Sequence, residues 1–123
     1  MSRERLPDRR AAEAIEIEHV WRGPHGDVEE TMLITVGRYD DGRVAEVFID
    51  YPPREGERKK SDRTRDLGHD IAVLISIALQ HGAPLDVLRD AVGRSDLNLM
   101  GTVKLVPHTI VGTVLDALEA EAK

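Results

Sequence analysis

The chain has 123 residues, a formal net charge of −6, a third of its residues charged, and no cysteine. That length makes one domain with a modest core. The acidic balance argues against broad binding to nucleic acid or an anionic membrane, since both need a positive footprint. Without cysteine there is no thiol nucleophile, no disulfide chemistry and no Cys-ligated zinc or iron–sulfur site.

The first ten residues, "MSRERLPDRR", are too polar for a signal peptide, and no run approaches the roughly 18 apolar residues of a membrane span. A cytoplasmic location is the default expectation. Residues 1–13 read as a charged arm, leaving a single domain over 14–123. From Ala14 the pattern alternates, with Ile15, Ile17, His19 and Trp21 on one side, which predicts a half-buried strand. "GPHGD" (23–27) is a turn. "TMLITVGRYDDGRVAEVFIDY" (31–51) predicts a hairpin in which Asp41-Gly42 supplies the positive φ angles of a tight turn, and Pro52-Pro53 ends it.

A basic stretch follows, then a helix with Asp66 at its start, running to about His81. Leu67, Ile71, Leu74, Ile75, Ala78 and Leu79 recur at helical spacing. Val73 and Ile77 add apolar character on a second side, which predicts a central helix. Gly82 closes it, and Pro84 opens a shorter helix through Leu85, Leu88 and Val92 to Gly93. Residues 94–107 read as irregular, and an amphipathic helix covers about 109–122. The order implies an α+β fold: a short antiparallel meander of about three strands, then about three helices packed on one face. So few strands leave edges and a second face open. With the wide apolar girth of the 71–79 helix, that predicts homo-oligomerisation through sheet or helix surface.

"RERLPDRR", "GRYDDGRVAEVFI" and "ISIALQHGAPLDVL" occur in this order, and together they carry a family resemblance over nearly the whole chain. The chain resembles the C-terminal TSCPD-type domain attached to adenosylcobalamin-dependent (class II) ribonucleotide reductases. The matching positions are Arg5, Leu6, Pro7 and Arg10 in the arm, then Gly37, Tyr39, Asp41, Gly42, Glu46 and Phe48 in the hairpin. Ser76, Leu79, Gln80, Gly82, Pro84 and Leu85 complete them around the end of the long helix. The departures matter as much. Nothing corresponds to the catalytic barrel, to a C-terminal redox cysteine pair, or to the cysteine-containing motif that gives the domain its name. A chain without cysteine supplies neither a thiyl radical nor a reducing dithiol, so the resemblance implies an accessory domain and hands over no catalytic residue.

Arg54, Arg58, Lys59, Lys60, Arg63 and Arg65 precede a helix N-terminus, whose free N–H groups and partial positive charge favour phosphate. Arginine adds two-pronged phosphate geometry. The alternative is a solvated loop, with Glu55, Glu57 and Asp62 offsetting half the charge. Asn98 and Thr102, in the irregular segment, are candidates for a pocket rim. In the arm, Leu6 and Pro7 read as interface residues that anchor it on a neighbour, with Arg9 or Arg10 within reach of a pocket. Ser76 and Gln80, one turn apart among apolar residues, either bond locally or line an oligomer interface, and the interface is the reading adopted. Glu46 reads as pairing with an arginine or binding a ligand hydroxyl. Trp21 and Tyr39 read as packing residues that have the option of stacking a base. The five histidines show no metal-ligand spacing.

No nucleophile, base and oxyanion donor come together, so the expected function is non-catalytic and needs no cofactor. The reading is a homo-oligomeric binding module for a nucleotide or nucleotide-derived small molecule, acting as a regulator or as a sponge for a signal in a bacterial or phage setting. The alternative is a protein–protein module that docks on a separately encoded ribonucleotide reductase through its arm and sheet edge. An enzyme of deoxynucleotide metabolism is the disfavoured third class. DNA, RNA and membranes are not expected partners.

Overall fold

A computed structural model describes residues 2–53 and 60–122. The strands β1 (Ala12–Trp21), β2 (Val28–Arg38) and β3 (Val44–Asp50) form an antiparallel sheet in the order β1-β2-β3. Two helices follow, α1 (Asp62–Gln80) and α2 (Leu85–Ala91). A two-stranded sheet of β4 (Arg94–Leu99) and β5 (Thr102–Pro107) then precedes the last helix, α3 (Ile110–Glu121). The class is α+β, with the extra hairpin set between the second and third helices.

The register explains the core. Ile15 sits opposite Ile34, and Ile34 opposite Ile49, so one sheet face is apolar across all three strands. Helix α1 packs on β3 and α3 on β1, closing a cluster that includes Met32, Ile34, Val47, Ile75, Leu115 and Leu118. In α3 the buried Ile110, Val114, Leu115 and Leu118 form a single stripe. Each such side chain contributes roughly 2 kcal/mol when it leaves water.

Four expectations need correction. In the β2–β3 turn Asp41 does not supply a positive φ; Gly42 alone does (91°). Tyr39 N–H donates to Arg43 O and Gly42 N–H to Tyr39 O, both at 2.9 Å, which encloses three residues. The pairing then slips, with Gly37 opposite Glu46 but Arg38 opposite Val44. Ala45 is the extra residue, so Val44 joins the core beside Val47 while Glu46 stays with Phe48 on the other face.

Residues 94–107 are not irregular. They form the β4–β5 hairpin, turning at Met100 and Gly101, both with positive φ (51° and 89°). Gly101 suits that turn, but methionine rarely takes the conformation it has at position 100, so the usual Asn-Gly or Asp-Gly signal is missing. Helix α1 starts four residues earlier than Asp66, because Ser61 is the cap and its hydroxyl accepts from Thr64 N–H at 3.2 Å. Nor is α1 central. It lies along one margin of the sheet, leaving Leu67, Val73, Leu74 and Ile77 exposed.

That position covers the open edge of β3. Ser76 Oγ accepts from Val47 N–H at 2.9 Å and donates to Val47 O at 3.2 Å, while Gln80 Nε2 donates to Ala45 O at 3.2 Å. The helix thereby supplies the partners that a fourth strand would.

Candidate functional site

Two concave surfaces flank α1. The first, about 320 Å³, lies between the sheet's inner end and the first turns of α1 and α3. Trp21 and Glu30 come from the strands and Tyr51 follows the end of β3, while Arg63, Thr64 and Leu67 come from α1 and Thr109 from the cap of α3. Trp21 is partly exposed, and its indole N–H donates to Glu30 Oε2 at 2.7 Å. An edge-on contact with the buried His19 ring, 4.3 Å between centroids, holds the indole upright. His19 is itself tied to α3 by a 2.7 Å bond between Nδ1 and Thr113 Oγ1, and its burial lowers its pKa.

Tyr51 is the unusual member. Its side chain is 6% exposed, and its hydroxyl lies within reach of the Glu30 carboxylate without forming a well-aligned hydrogen bond to any described residue. Burial first, and the neighbouring Glu30 carboxylate second, push the phenol's pKa up, so it stays protonated and keeps a donor to offer. Its ring fits against Gly68, where a Cβ would come within 2.9 Å of it. A buried hydroxyl left wholly without a partner costs about 1–3 kcal/mol; a poorly aligned bond recovers part of that, and here the group stands in the wall of a cleft.

The second surface, about 590 Å³, lies on the other sheet face between Phe48, the arm and α1. The arm is folded back on its own chain. Glu4 N–H donates to Gln80 O at 2.7 Å, Arg3 Nε to Gln80 Oε1, and Arg43 reaches Glu4 at 2.8 Å. Arg10 grips Glu46 side-on, Nε to Oε2 and Nη2 to Oε1, the latter at 3.0 Å. Glu46 is 5% exposed and lies over Gly37, where a Cβ would meet its carboxyl end at 2.6 Å. Leu6 and Pro7 are partly buried in this docked arm.

Of the phosphate candidates, Arg54 and Lys59 lie outside the described residues, as does Arg58. Arg63 lines the Trp21–Tyr51 cleft, whereas the partly buried Lys60 and the exposed Arg65 do not. Asn98 and Thr102 line neither of these clefts. The Asn98 side-chain oxygen accepts from Gly101 N–H at 3.1 Å, and Thr102 opens β5 opposite Leu99, so both serve the hairpin turn. The hydrogen bonds of Ser76 and Gln80 run to β3 and the arm within the chain. No group of three His, Asp or Glu residues placed to hold a metal occurs among the described residues. None of their helices is long and apolar enough to cross a membrane.

Sequence reasoning missed Tyr51, Glu30 and Thr64 as walls of a common cleft. The available signal was phase: Tyr51 alternates with Val47 and Ile49, so it had to point inward toward α1. Also missed was Asp116, which accepts from Arg94 at 2.7 and 3.0 Å and from Arg89 at 3.0 Å, fastening β4 and α2 to α3.

This fold, with the docked R-L-P arm and the Gly37–Glu46 contact beneath it, is that of a TSCPD domain. The TSCPD domain family matches residues 6–111, and the chain belongs to it. Among curated proteins, a vitamin B12-dependent ribonucleotide reductase of Bradyrhizobium diazoefficiens is 34% identical over 89 residues. That match covers 72% of this chain but only 6% of the reductase. No solved structure matches the chain.

Proposed function

We propose that this chain is a non-catalytic, homo-oligomeric binding module related to the reductase accessory domain, and that its ligand is a nucleotide or nucleotide-derived small molecule held in the Trp21–Tyr51 cleft. The observation that carries the reading is the buried Tyr51 hydroxyl, close to Glu30 but without a well-aligned bond, in a cleft that also offers an indole face and an arginine. An aromatic base stacks on Trp21. Glu30 accepts from its amino or ribose hydroxyl groups, the Tyr51 hydroxyl donates, and Arg63 at the first turn of α1 meets a phosphate. The volume, about 320 Å³, is at the small end for ligand sites, enough for one nucleoside and not for a dinucleotide. Such a module acts in the cytoplasm as a regulator or as a sponge for its ligand.

Trp21 is the sole tryptophan, so its fluorescence reports on the cleft directly. Titration with ribo- and deoxynucleoside mono-, di- and triphosphates should quench it saturably. A ligand at a hundred times its dissociation constant should raise stability by about 2.7 kcal/mol. Arg63→Ala should weaken nucleotides more than nucleosides, and Tyr51→Phe should weaken both. A panel without quenching or stabilisation would sink the ligand reading.

The second reading, docking on a separately encoded ribonucleotide reductase, draws on the apolar residues exposed along α1. Weighing against it, the arm and one of the two sheet edges, that of β3, are engaged within the chain. Co-purification with a reductase, lost when residues 1–10 are deleted, would decide for it.

A further inference from the structure

Helix α1 has two faces with opposite fates. Gly68, Ala72, Ile75 and Gln80 are buried toward the sheet. The opposite face carries Leu67, Asp70, Leu74, Ile77 and His81, spaced three, four, three and four residues apart. That is a heptad seam, the pattern by which one helix packs along another. It is exposed, with Leu67 at 59%, Leu74 at 66% and Ile77 at 37%, and Val73 (42%) widens it on one side. A helix that is apolar on both faces belongs in an interior.

We infer that this seam is the self-association surface of the chain, and that its occupant is α1 of a second copy, packed antiparallel about a twofold axis between residues 75 and 76. This deepens the homo-oligomeric part of the reading above and does not depend on the ligand. The commitment to a second copy comes from the order of residues along the seam. An isologous contact must be complementary to itself. With the axis at 75/76, Leu74 of each copy meets Ile77 of the other, twice over, and Asp70 of each meets His81 of the other. Apolar side chains face apolar ones, and an acid faces a base at both ends. The alternative register with the axis at residue 72 sets Asp70 against Leu74 and Arg63 against His81, which buries a carboxylate without a partner and opposes two basic groups. The His81 ring is already oriented by its Nδ1, 3.0 Å from Ile77 O. In the pair, each α1 lies between its own sheet and the partner's α1. The seam is short, so the contact belongs at the small end of specific interfaces and the dimer should dissociate on dilution.

The test is sedimentation velocity of the full chain over a wide concentration range. Wild type should show a concentration-dependent dimer. Leu74→Glu should raise the dissociation constant at least tenfold without lowering the melting temperature, since Leu74 makes little contact with its own chain. Asp70→Lys and His81→Glu should each weaken the dimer several-fold, and the two together should restore it, because the charges are then exchanged across the axis. Were the variants to lose their own fold, melting curves would reveal it, and the double variant's recovery remains diagnostic. A wild-type chain that is monomeric throughout overturns both this inference and the homo-oligomeric reading. A dimer indifferent to Leu74→Glu overturns this inference alone, as does failure of the double variant to recover.

Discussion

Replacing Ser76 with alanine tests whether α1 truly serves as the missing strand at the β3 edge. The hydroxyl makes two bonds to the same residue, accepting from Val47 N–H and donating to Val47 O. Val47 is 1% exposed, so its backbone finds little water once the hydroxyl is gone. Each bond is worth about 1 kcal/mol net. Ser76 also borders the larger cleft, through which solvent recovers part of the loss. The expected cost is therefore about 1–2 kcal/mol. With an unfolding entropy of about 2.1 cal/mol/K per residue, that lowers the melting temperature by roughly 4–8 °C. Urea unfolding gives the first number and a thermal melt the second. Amide exchange adds the discriminating measurement, because the Val47 N–H should lose protection while the neighbouring amides that pair with β2 keep theirs. Ser76→Thr, which retains the hydroxyl, should behave like wild type in exchange. If Ser76→Ala changes stability by less than about 0.5 kcal/mol, the background for surface substitutions, and Val47 stays protected, the helix is not capping the edge.

Leu118→Ala, at a fully buried site in α3, should cost about 3 kcal/mol through lost transfer energy and a residual cavity, read by urea unfolding. Gly68→Ala is a sharper case. Helix propensity favours alanine by about 1 kcal/mol, but the new Cβ would approach the Tyr51 ring to 2.9 Å, so we expect net destabilisation and a shifted Trp21 emission. Asp116→Asn should loosen the β4–β5 hairpin by about 1 kcal/mol, a figure kept low because the carboxylate is partly solvated. Burial, the largest influence on Asp116, raises its pKa, but the Arg94 and Arg89 bonds together outweigh it and hold the group below the ordinary value. A depressed folded pKa gives stability that is complete above the unfolded value of about 3.9 and is lost as pH falls through the folded one. Urea melts should therefore show a flatter acid limb in the asparagine variant than in wild type.

The meander and the helices were legible because their signals are periodic. Alternation marked β1, and apolar spacing marked α1 and α3. Glycine and proline marked where α1 ends and α2 begins. The misplaced features share another cause. The turn at Met100 depends on a conformation that methionine seldom adopts, and the Asn98–Gly101 bond that supports it has no pattern of its own. The bulge at Ala45 breaks alternation by a single residue, which is enough to move Val44 to the other face. The start of α1 was hidden because Ser61, its cap, sits in a run of charges. The cleft was the least legible. Its walls come from β1, β2, the end of β3, α1 and α3, so Trp21, Tyr51 and Arg63 meet only through the tertiary fold, while the basic stretch drew attention by charge alone.

The contact of Arg10, Glu46 and Gly37 also constrains how this surface can change over time. Adding a side chain at Gly37 collides with Glu46. Removing the guanidinium at Arg10 strands a carboxylate that is almost wholly buried. Shortening Glu46 is the gentlest of the three, since it empties the space above Gly37 and leaves Arg10, whose side chain is 30% exposed, to be hydrated. Lineages that depart from this arrangement should therefore do so in a fixed order, with position 46 yielding before positions 10 and 37, and intermediates in the reverse order should be rare.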